Sequence, residues 1–262
     1  MGKYIFRSKK TVIKKKGKSK IFHILEDSKF EKFDPTVLGL GNISKESKNI
    51  QAIAAVFDLN GFTNFCNQVD PHLCVPEYMN SFLNWLFYEV KEEFVKKSTS
   101  KGKILWAELP FFAKFTGDGV LFLWNTQGMN IVNICNVVIS LDTICDDYKK
   151  VFLPRVKKDF VEPPSSLRCG IARGSVLSIG NDSDFVGSCI NIASRLQKLG
   201  TLPFCISRRG FDFDIGMKKT EFNRYLLQTV SLRGIGDKEL VWLRKSDYNK
   251  LLMKEKDMFA PP

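Results

Sequence analysis

The sequence predicts an α+β fold in which helices cover one face of a largely antiparallel sheet. Short apolar runs alternate with longer segments of helical spacing, and two glycine-containing turns are flanked by residues typical of strands. Hydrophobic residues make up 44% of the 262 residues, which is enough to fill a core and excludes a disordered chain.

The elements are expected in the order strand, helix, hairpin, helix, hairpin, helix. The first strand is a purely apolar run, which suits burial on both faces. The first helix places Tyr78, Phe82 and Leu86 on one side, and the two hairpins turn at 116–119 and 173–174. The expected elements are a strand over 53–57, a helix over 76–97, a hairpin over 111–124, a helix over 131–151, a hairpin over 167–179, a helix over 186–199 and a last edge strand over 240–243.

Most of the net charge lies in an N-terminal arm. The formal net charge is +12, and residues 1–20 contain nine Lys or Arg and no acidic residue. The other 242 residues hold 31 basic and 28 acidic side chains, so they carry only +3. We expect a basic N-terminal extension over 1–50, a folded domain over 51–245 and a C-terminal tail over 246–262. The arm suits contact with nucleic acid or anionic lipid, although a solvated tail explains it more simply.

Two further observations exclude other classes of protein. The longest stretch without a charge, 119–141, contains five amide side chains, so no membrane span is expected, and residues 1–20 lack the apolar region of a secretory signal. The seven cysteines form no Cys-x-x-Cys pair, and His23 and His72 are the only histidines. We therefore expect neither a zinc site nor a disulfide framework, and a cytoplasmic location.

Two aspartates follow predicted strands. Asp58 ends the first strand, and Asp118 lies in the turn of the first hairpin. Each of them alone is typical of a turn. If the two strands are neighbours, both carboxylates lie at one edge of the sheet, where they repel each other unless a cation lies between them. Carboxylates together with phosphate oxygens are the ligands of hard divalent metals in phosphoryl chemistry.

A third segment, 184–195, carries an amide and a guanidinium at helical spacing. Asn191 and Arg195 are four residues apart, so they share one face of a helix. An arginine beside an amide suits a phosphate whose charge grows in a transition state. Taken alone, the pair is more typical of a surface helix.

These three segments together resemble the class III nucleotidyl cyclases, the family of adenylyl and guanylyl cyclase catalytic domains. The family has Asp-x-x-Gly-Phe-Thr after a strand, then Lys-x-x-Gly-Asp, then an Asp shortly before Asn-x-Ala-Ser-Arg. This chain has the three patterns in that order, at 58–63, 114–118 and 184–195. The resemblance covers roughly residues 51–245 and implies a palm-like, ferredoxin-like βαββαβ sandwich.

The resemblance implies a two-metal cyclisation of a nucleoside triphosphate. Asp58 and Asp118 would hold two Mg²⁺ or Mn²⁺ ions, helped by the backbone carbonyl of Leu59. The ribose 3′-oxygen would attack the α-phosphorus in line and expel pyrophosphate. Asn191 would orient the ribose, and Arg195 would stabilise the transition state.

The resemblance also implies contacts with the substrate. The turn after Asp58 would bind the triphosphate through its backbone, and two positions would read the base. The family uses a basic residue near a Gly-x-Gly turn for the terminal phosphates, and here Ile235 stands at one candidate position, which leaves an arginine two residues earlier as the nearest substitute. The expected substrate-contacting residues are Phe57, Gly61, Phe62, Thr63, Lys114, Asp184 and Arg233.

The motifs point to two different bases. Lys114 and Asp184 match the pair that reads adenine in adenylyl cyclases. Phe57 replaces the small residue usual before the metal aspartate, and its ring could stack on a smaller base, although a core position explains it equally well. The free-standing form of the chain and the stretch 114–119 look like the pyrimidine cyclases of bacterial anti-phage (Pycsar) systems. We therefore expect CTP or UTP as the substrate, cyclic CMP or cyclic UMP as a signal to a separate effector, and ATP as the alternative substrate.

The family also implies a homodimer. In its members the metal aspartates come from one subunit, and the residues that read the base and stabilise the transition state come from the other. Every required position is present in this one chain, so we expect two equivalent composite sites. A non-catalytic module that only binds nucleotide or dimerises is the remaining alternative, although intact Asp58, Asp118, Asn191 and Arg195 argue against it.

Overall fold

The computed structural model of the chain describes residues 8–15, 18–100 and 102–262. They form two compact units. The first unit combines the residues up to Asn49 with Leu177–Val186, and the second combines Ile50–Val176 with Gly187–Pro262. The expected domain limits at 51 and 245 stay a prediction.

The described residues form thirteen strands and ten α-helices, together with a 3₁₀ turn over Pro35–Leu38 and a π-helical turn over Tyr148–Phe152. The strands are β1 (Lys9–Lys15), β2 (Lys18–Ile24), β3 (Asn49–Asn60), β4 (Val95–Thr99), β5 (Gly102–Leu105), β6 (Phe112–Phe115), β7 (Gly119–Asn125), β8 (Ser166–Ile179), β9 (Asp184–Val186), β10 (Phe204–Ser207), β11 (Tyr225–Leu232), β12 (Gly236–Arg244) and β13 (Phe259–Ala260). The helices are α1 (Asp27–Phe30), α2 (Phe62–Phe65), α3 (Pro71–Glu93), α4 (Ile131–Asp147), α5 (Leu153–Val156), α6 (Ser188–Leu196), α7 (Phe213–Gly216), α8 (Lys219–Phe222), α9 (Lys245–Lys250) and α10 (Met253–Lys256).

The first unit contains two small hairpins. β1 and β2 pair antiparallel, with Val12 opposite Ile21, and β9 pairs with the last three residues of β8. The backbone amide of Lys48 donates to Ser178 Oγ at 2.9 Å. The extension expected over 1–50 therefore contains strands that its sequence did not indicate, because lysine has a low preference for strands. The parts of the basic arm at 1–7 and 16–17 lie outside the described residues.

The second unit is built on one large sheet, in the order β13-β11-β12-β10-β8-β3-β7-β6. β10 runs parallel to β8, whereas β3 with β7, β6 with β7, β10 with β12 and β11 with both of its neighbours pair antiparallel. This largely antiparallel sheet with its packed helices confirms the predicted α+β fold.

The main core lies on one face of the sheet. Successive side chains of a strand point to opposite faces, and Phe57 of β3 packs into the same buried cluster as Tyr78 and Phe82 of α3 and Val138 and Leu141 of α4. Helices α3 and α4 therefore cover one face, which the apolar spacing of both segments predicted.

Helix α6 covers the other face. A Cβ placed on Gly170 of β8 would lie 2.1 Å from the carbonyl oxygen of Ala193 in α6, whereas the neighbouring Cys169 and Ile171 belong to the main core. The expectation that all helices lie on one face is wrong, because the sequence pattern shows which residues are apolar but not which face of the sheet receives them.

The second predicted hairpin is wrong, and the last predicted strand is present but does not lie at an edge of the sheet. The hairpin expected over 167–179 is the single strand β8, since Arg173 donates to Thr126 Oγ1 (3.1 Å) and to the carbonyl of Gly210 (2.9 Å) instead of turning. The chain turns later, where Gly180 begins three consecutive residues with positive φ. The edge strand expected over 240–243 is part of β12, which lies between β11 and β10.

The three long helices lie close to their predicted positions. Helix α3 begins five residues before the predicted start, with Pro71 in its first turn, where proline is well tolerated. Asn130 caps α4 by accepting a hydrogen bond from the amide of Asn133 at 2.8 Å. In the part of the chain that the structure describes, no helix is both long enough and apolar enough to cross a bilayer.

A buried ion pair joins α4 to the sheet. Arg244 of β12 lies 3.0 Å from Asp142, and the hydroxyl of Tyr225 donates to the same carboxylate at 2.9 Å. Burial raises the pKa of Asp142 to about 6, although the charge of Arg244 and the hydrogen bond from Tyr225 act in the opposite direction.

Candidate active site

Asp58 and Asp118 lie together at one end of the sheet. Asp58 in β3 is opposite Gly119, the first residue of β7, and the amide of Leu59 donates to the carbonyl of Asp118 at 3.0 Å. A Cβ at Gly119 would lie 1.8 Å from the carbonyl oxygen of Phe57, so this close crossing requires glycine. The structure therefore brings together the two aspartates that the sequence singled out.

Both carboxylates line one small cavity between the sheet and α6, with a volume of about 230 Å³. Residues of β3, the β6–β7 turn, β7 and α6 surround it. The lining residues are Val56, Asp58, Thr116, Asp118, Leu121, Ile190, Ser194, Gln197 and Lys198.

Asp58 has a cationic partner that the sequence reasoning missed. The guanidinium of Arg168 in β8 forms an ion pair with the carboxylate, and its Nε donates to Oδ2 at 3.2 Å. Arg168 is a charged residue inside the apolar run 167–172, and that interruption of the run was the available signal. Because β8 was expected to turn back at 173–174, nothing in the pattern placed Arg168 beside Asp58.

The electrostatics of Asp58 suit a site for cations. Its side chain is only 6% exposed. Burial raises the pKa of Asp58, the hydrogen bond and charge of Arg168 lower it, Asp118 raises it, and Lys198 lowers it, so that the net direction is upward. A buried carboxylate next to a second carboxylate is stabilised in its charged form by any cation that enters the cavity.

The donor set fits hard divalent cations. Among the residues that the structure describes, no three acidic, histidine or cysteine side chains converge as a ready-made metal cluster. Two carboxylates, a nearby backbone carbonyl at Leu59 and the oxygens of a bound phosphate form the kind of oxygen ligand set that Mg²⁺ prefers. Asp58, Asp118 and Leu59 are therefore the residues that could hold a metal.

The turn after β3 leaves its backbone open to solvent. Gly61 has φ +89°, a conformation that favours glycine, and it directly precedes α2. Gly61 and Thr63 are exposed, whereas Phe62 is half-buried, with its ring centroid 6.2 Å from that of Phe65. This anchored turn thus presents backbone groups beside Asp58, where the sequence predicted a contact with the triphosphate.

Asn191 and Arg195 do not face this cavity. Both are exposed on α6 and absent from the cavity lining, which takes Ile190 and Ser194 from a neighbouring face of the same helix. Successive residues of a helix are rotated by about 100°. The structure therefore separates the predicted transition-state residues from the metal aspartates of their own chain.

The predicted base-reading and terminal-phosphate residues belong to three different elements of the chain. Lys114 is an exposed residue of β6, opposite Leu121 of β7. Asp184 is the half-buried first residue of β9 in the first unit, where its carboxylate accepts from the amide of Phe185 at 2.8 Å. Arg233 is exposed in the β11–β12 turn. None of the three lines the cavity of Asp58.

Phe57 lies in the core. Its ring has no exposed surface and packs edge-on against Phe122, with the centroids 6.0 Å apart. Adjacent strand residues point to opposite faces, so Phe57 faces away from the cavity that Asp58 lines. This arrangement argues against the expected stacking of Phe57 on a base and favours its interpretation as a core residue.

Comparisons with known proteins identify the fold. No protein-family model matches the chain, and no curated protein matches it. Solved structures do match: the adenylyl cyclase CyaB from P. aeruginosa (14% identity, TM-score 0.57, 76% of this chain and 96% of that one) and the guanylyl cyclase Cya2 (17% identity, TM-score 0.56, 76% and 94%). The catalytic core of a rhodopsin-guanylyl cyclase with converted specificity, in complex with ATPalphaS, matches at 18% identity and a TM-score of 0.52 (76% and 98%). The chain therefore has the fold of adenylyl and guanylyl cyclase catalytic domains.

Proposed function

We propose that this protein is a nucleotide cyclase that converts a nucleoside triphosphate into a 3′,5′-cyclic nucleotide and pyrophosphate. The observation that carries the proposal is the placement of Asp58 and Asp118 in one cavity at the edge of a sheet that has the fold of cyclase domains. Aspartates from two separate motifs converge there, as a two-metal reaction requires.

The metal ligands and the turn 61–63 have different roles in the proposed reaction. Two Mg²⁺ or Mn²⁺ ions held by Asp58, Asp118 and the carbonyl of Leu59 would act as Lewis acids and lower the pKa of the ribose 3′-hydroxyl. The turn 61–63 binds the triphosphate through backbone N–H groups. The 3′-hydroxyl releases its proton to bulk water, and the 3′-oxygen attacks the α-phosphorus. The bond from this phosphorus to the bridging oxygen breaks, and pyrophosphate leaves.

A homodimer completes the site. Asn191 and Arg195 are exposed and lie outside the cavity of their own chain. In the proposed dimer they reach the site of the partner, where Asn191 orients the ribose and Arg195 stabilises the charge that develops at the α-phosphate. Lys114, Asp184 and Arg233 take the proposed roles of reading the base and holding the terminal phosphates in these composite sites.

We propose a pyrimidine triphosphate, CTP or UTP, as the substrate. The support is the resemblance of the motifs to the pyrimidine cyclases of anti-phage systems; a buried Phe57 adds nothing to it. The product would then activate a separate effector during infection. All seven cysteines are free, which supports the proposed cytoplasmic location. ATP is the second candidate, favoured by Lys114 and Asp184.

One assay tests the activity and the base together. Purified protein is incubated with Mn²⁺ and each of ATP, GTP, CTP and UTP, and the products are identified by mass spectrometry. We expect cyclic CMP or cyclic UMP from the wild type, none from Asp118→Asn, and an undiminished yield from Asp257→Asn, which removes an exposed carboxylate that does not line the cavity. Cyclic AMP as the main product would overturn the pyrimidine proposal, and no cyclic product from any nucleotide would favour a non-catalytic module.

The basic arm is not needed for this chemistry. Deletion of residues 1–20 should leave the rate of cyclisation unchanged, because the cavity is built from the second unit only. A deletion variant that folds but loses its main activity would favour a nucleic-acid-binding protein.

A further inference from the structure

Helix α6 presents two different sets of residues. Asn191 and Arg195 lie on an exposed face, whereas Ile190 and Ser194 line the cavity, and Gln197 and Lys198, which directly follow the helix, extend this second set. Ile190, Ser194 and Gln197 repeat at intervals of four and three residues, so they form one strip along the helix. Lys198 lies at the end of this strip, where it also lines the cavity. The cavity-facing strip has no part in the mechanism described above.

Two residues at the cavity, Gln197 and Lys198, have a polar group without a partner among the described residues. Gln197 is 3% exposed, and its Oε1 has no hydrogen-bond partner among the described residues. A buried acceptor without a donor is costly, which favours a bound group with an O–H or N–H donor, such as a substrate hydroxyl, and not a phosphate oxygen. Lys198 is exposed and makes no ion pair with any residue that the structure describes.

Lys198 is the positively charged residue of the cavity lining, as far as the structure describes the chain. Asp58 and Asp118 contribute two carboxylates, and the guanidinium of Arg168 is already paired with Asp58. Lys198 lines the same cavity as both carboxylates. It is therefore the one lining residue, within the described chain, that adds a cation without a carboxylate partner. A flexible ammonium beside a metal-binding carboxylate pair is suited to phosphate oxygens.

We propose that Lys198 binds the phosphates of the substrate in the site that Asp58 and Asp118 of the same chain form. The inference rests on the proposed function and adds to it a residue outside the predicted motifs. In the dimer, α6 then serves two sites at once: its exposed face completes the site of the partner, and its cavity-facing strip, ending in Lys198, contributes to the site of its own chain.

Inorganic tripolyphosphate is a suitable probe, because it has neither a base nor a sugar. Its binding in the presence of Mn²⁺ is measured by titration calorimetry with the full chain. We expect Lys198→Ala to weaken binding about tenfold, which corresponds to about 1.4 kcal/mol, and Lys198→Arg to bind within about threefold of the wild type because it keeps the charge. Lys149→Ala is the matched control, since Lys149 is exposed on the π-helical turn that continues α4.

The two possible failures are distinguishable. If the wild type does not bind tripolyphosphate with Mn²⁺, the proposed function fails together with the inference. If the wild type and Lys198→Ala bind it equally, the role of Lys198 is refuted while the proposed function stands. Equal melting temperatures for the variants and the wild type are expected, because both lysines are exposed.

Hybrid dimers test which site Lys198 serves. A mixture of Lys198→Ala with Arg195→Ala should regain activity, because one site of the hybrid combines an intact metal side with an intact Arg195. A mixture of Lys198→Ala with Asp58→Ala should be no more active than Lys198→Ala itself, because each site of the hybrid then contains one of the two substitutions. The opposite pattern would place Lys198 on the side of Arg195 and overturn the inference.

Discussion

Replacement of Gly170 by alanine tests how closely α6 must pack on the sheet. A Cβ at this position would lie 2.1 Å from the carbonyl oxygen of Ala193 and 2.5 Å from the amide nitrogen of Gln197. Ordinary contact begins at 3.4 Å, so the helix and the strand must separate by about 1.3 Å. The clash involves backbone atoms on both sides, which a change of rotamer cannot relieve.

The expected cost follows from this distance. Overpacking of a well-packed interior costs about 1–3 kcal/mol, and in a domain of this size each kcal/mol lowers the melting temperature by about 2–4 °C. Helix α6 also carries Ser194 to the cavity and Arg195 to the proposed site of the partner. A displacement of about 1 Å in positioning residues costs on the order of a hundredfold in rate.

Gly174→Ala is the matched control in the same strand. Its Cβ would lie 3.4 Å from the Cβ of Cys189, which is an ordinary contact. Thermal unfolding and cyclisation rates are measured for the wild type and both variants. Gly170→Ala should melt roughly 2–12 °C lower and lose most of its activity, and Gly174→Ala should change little. A Gly170→Ala protein with the melting temperature and rate of the wild type would refute the described contact between α6 and β8.

Three further predictions concern the core, the ion pair and the dimer. Phe57→Leu should lower the free energy of unfolding by about 1–2 kcal/mol and leave the order of preference among the four nucleotides unchanged, because the ring is buried away from the cavity. The pKa of Asp142 is raised from 3.8 to about 6, so its contribution to stability is present below pH 4 and is lost as the pH rises through 6. As the pH rises from 4 to 7, the free energy of unfolding of the wild type should therefore fall by on the order of 1–3 kcal/mol relative to that of Asp142→Asn. Urea unfolding of both proteins at each pH measures this difference. A mixture of inactive Asp58→Ala and inactive Arg195→Ala should regain part of the activity, as measured by product formation.

A changed nucleotide preference in Phe57→Leu would restore the stacking role of the ring. A stability difference between Asp142→Asn and the wild type that does not vary with pH would show that Asp142 is charged throughout the range. No recovery of activity in a mixture whose subunits are known to exchange would contradict composite sites.

The sequence predicted the elements that carry the clearest local signals. The apolar run 53–57, the glycine turn at 116–119 and the apolar faces of α3 and α4 each match the structure, because periodicity and turn chemistry act within a few residues. Asp58 and Asp118 could be paired from sequence only through the assumption that β3 and β7 are neighbours, which the register of those strands supports.

The sequence could not predict contacts that depend on how distant elements pack. The Arg168–Asp58 ion pair joins residues 110 positions apart, and no local pattern indicates it. Gly174 suggested a turn, yet the long-range hydrogen bonds of Arg173 hold this part of β8 straight. Lys198 follows the recognised motif by only three residues, but only the packing of α6 on the second face of the sheet places it at the cavity.

A crystal structure with Mn²⁺ and a non-reactive nucleoside triphosphate analogue would show whether both aspartates bind the metal. Asp58 and Asp118 are expected to hold divalent cations jointly against the phosphates. Anomalous scattering should show manganese bound to oxygens of both side chains, with the triphosphate over the turn 61–63. Manganese and nucleotide bound elsewhere, with Asp58 still paired to Arg168, would contradict joint metal binding by the two aspartates.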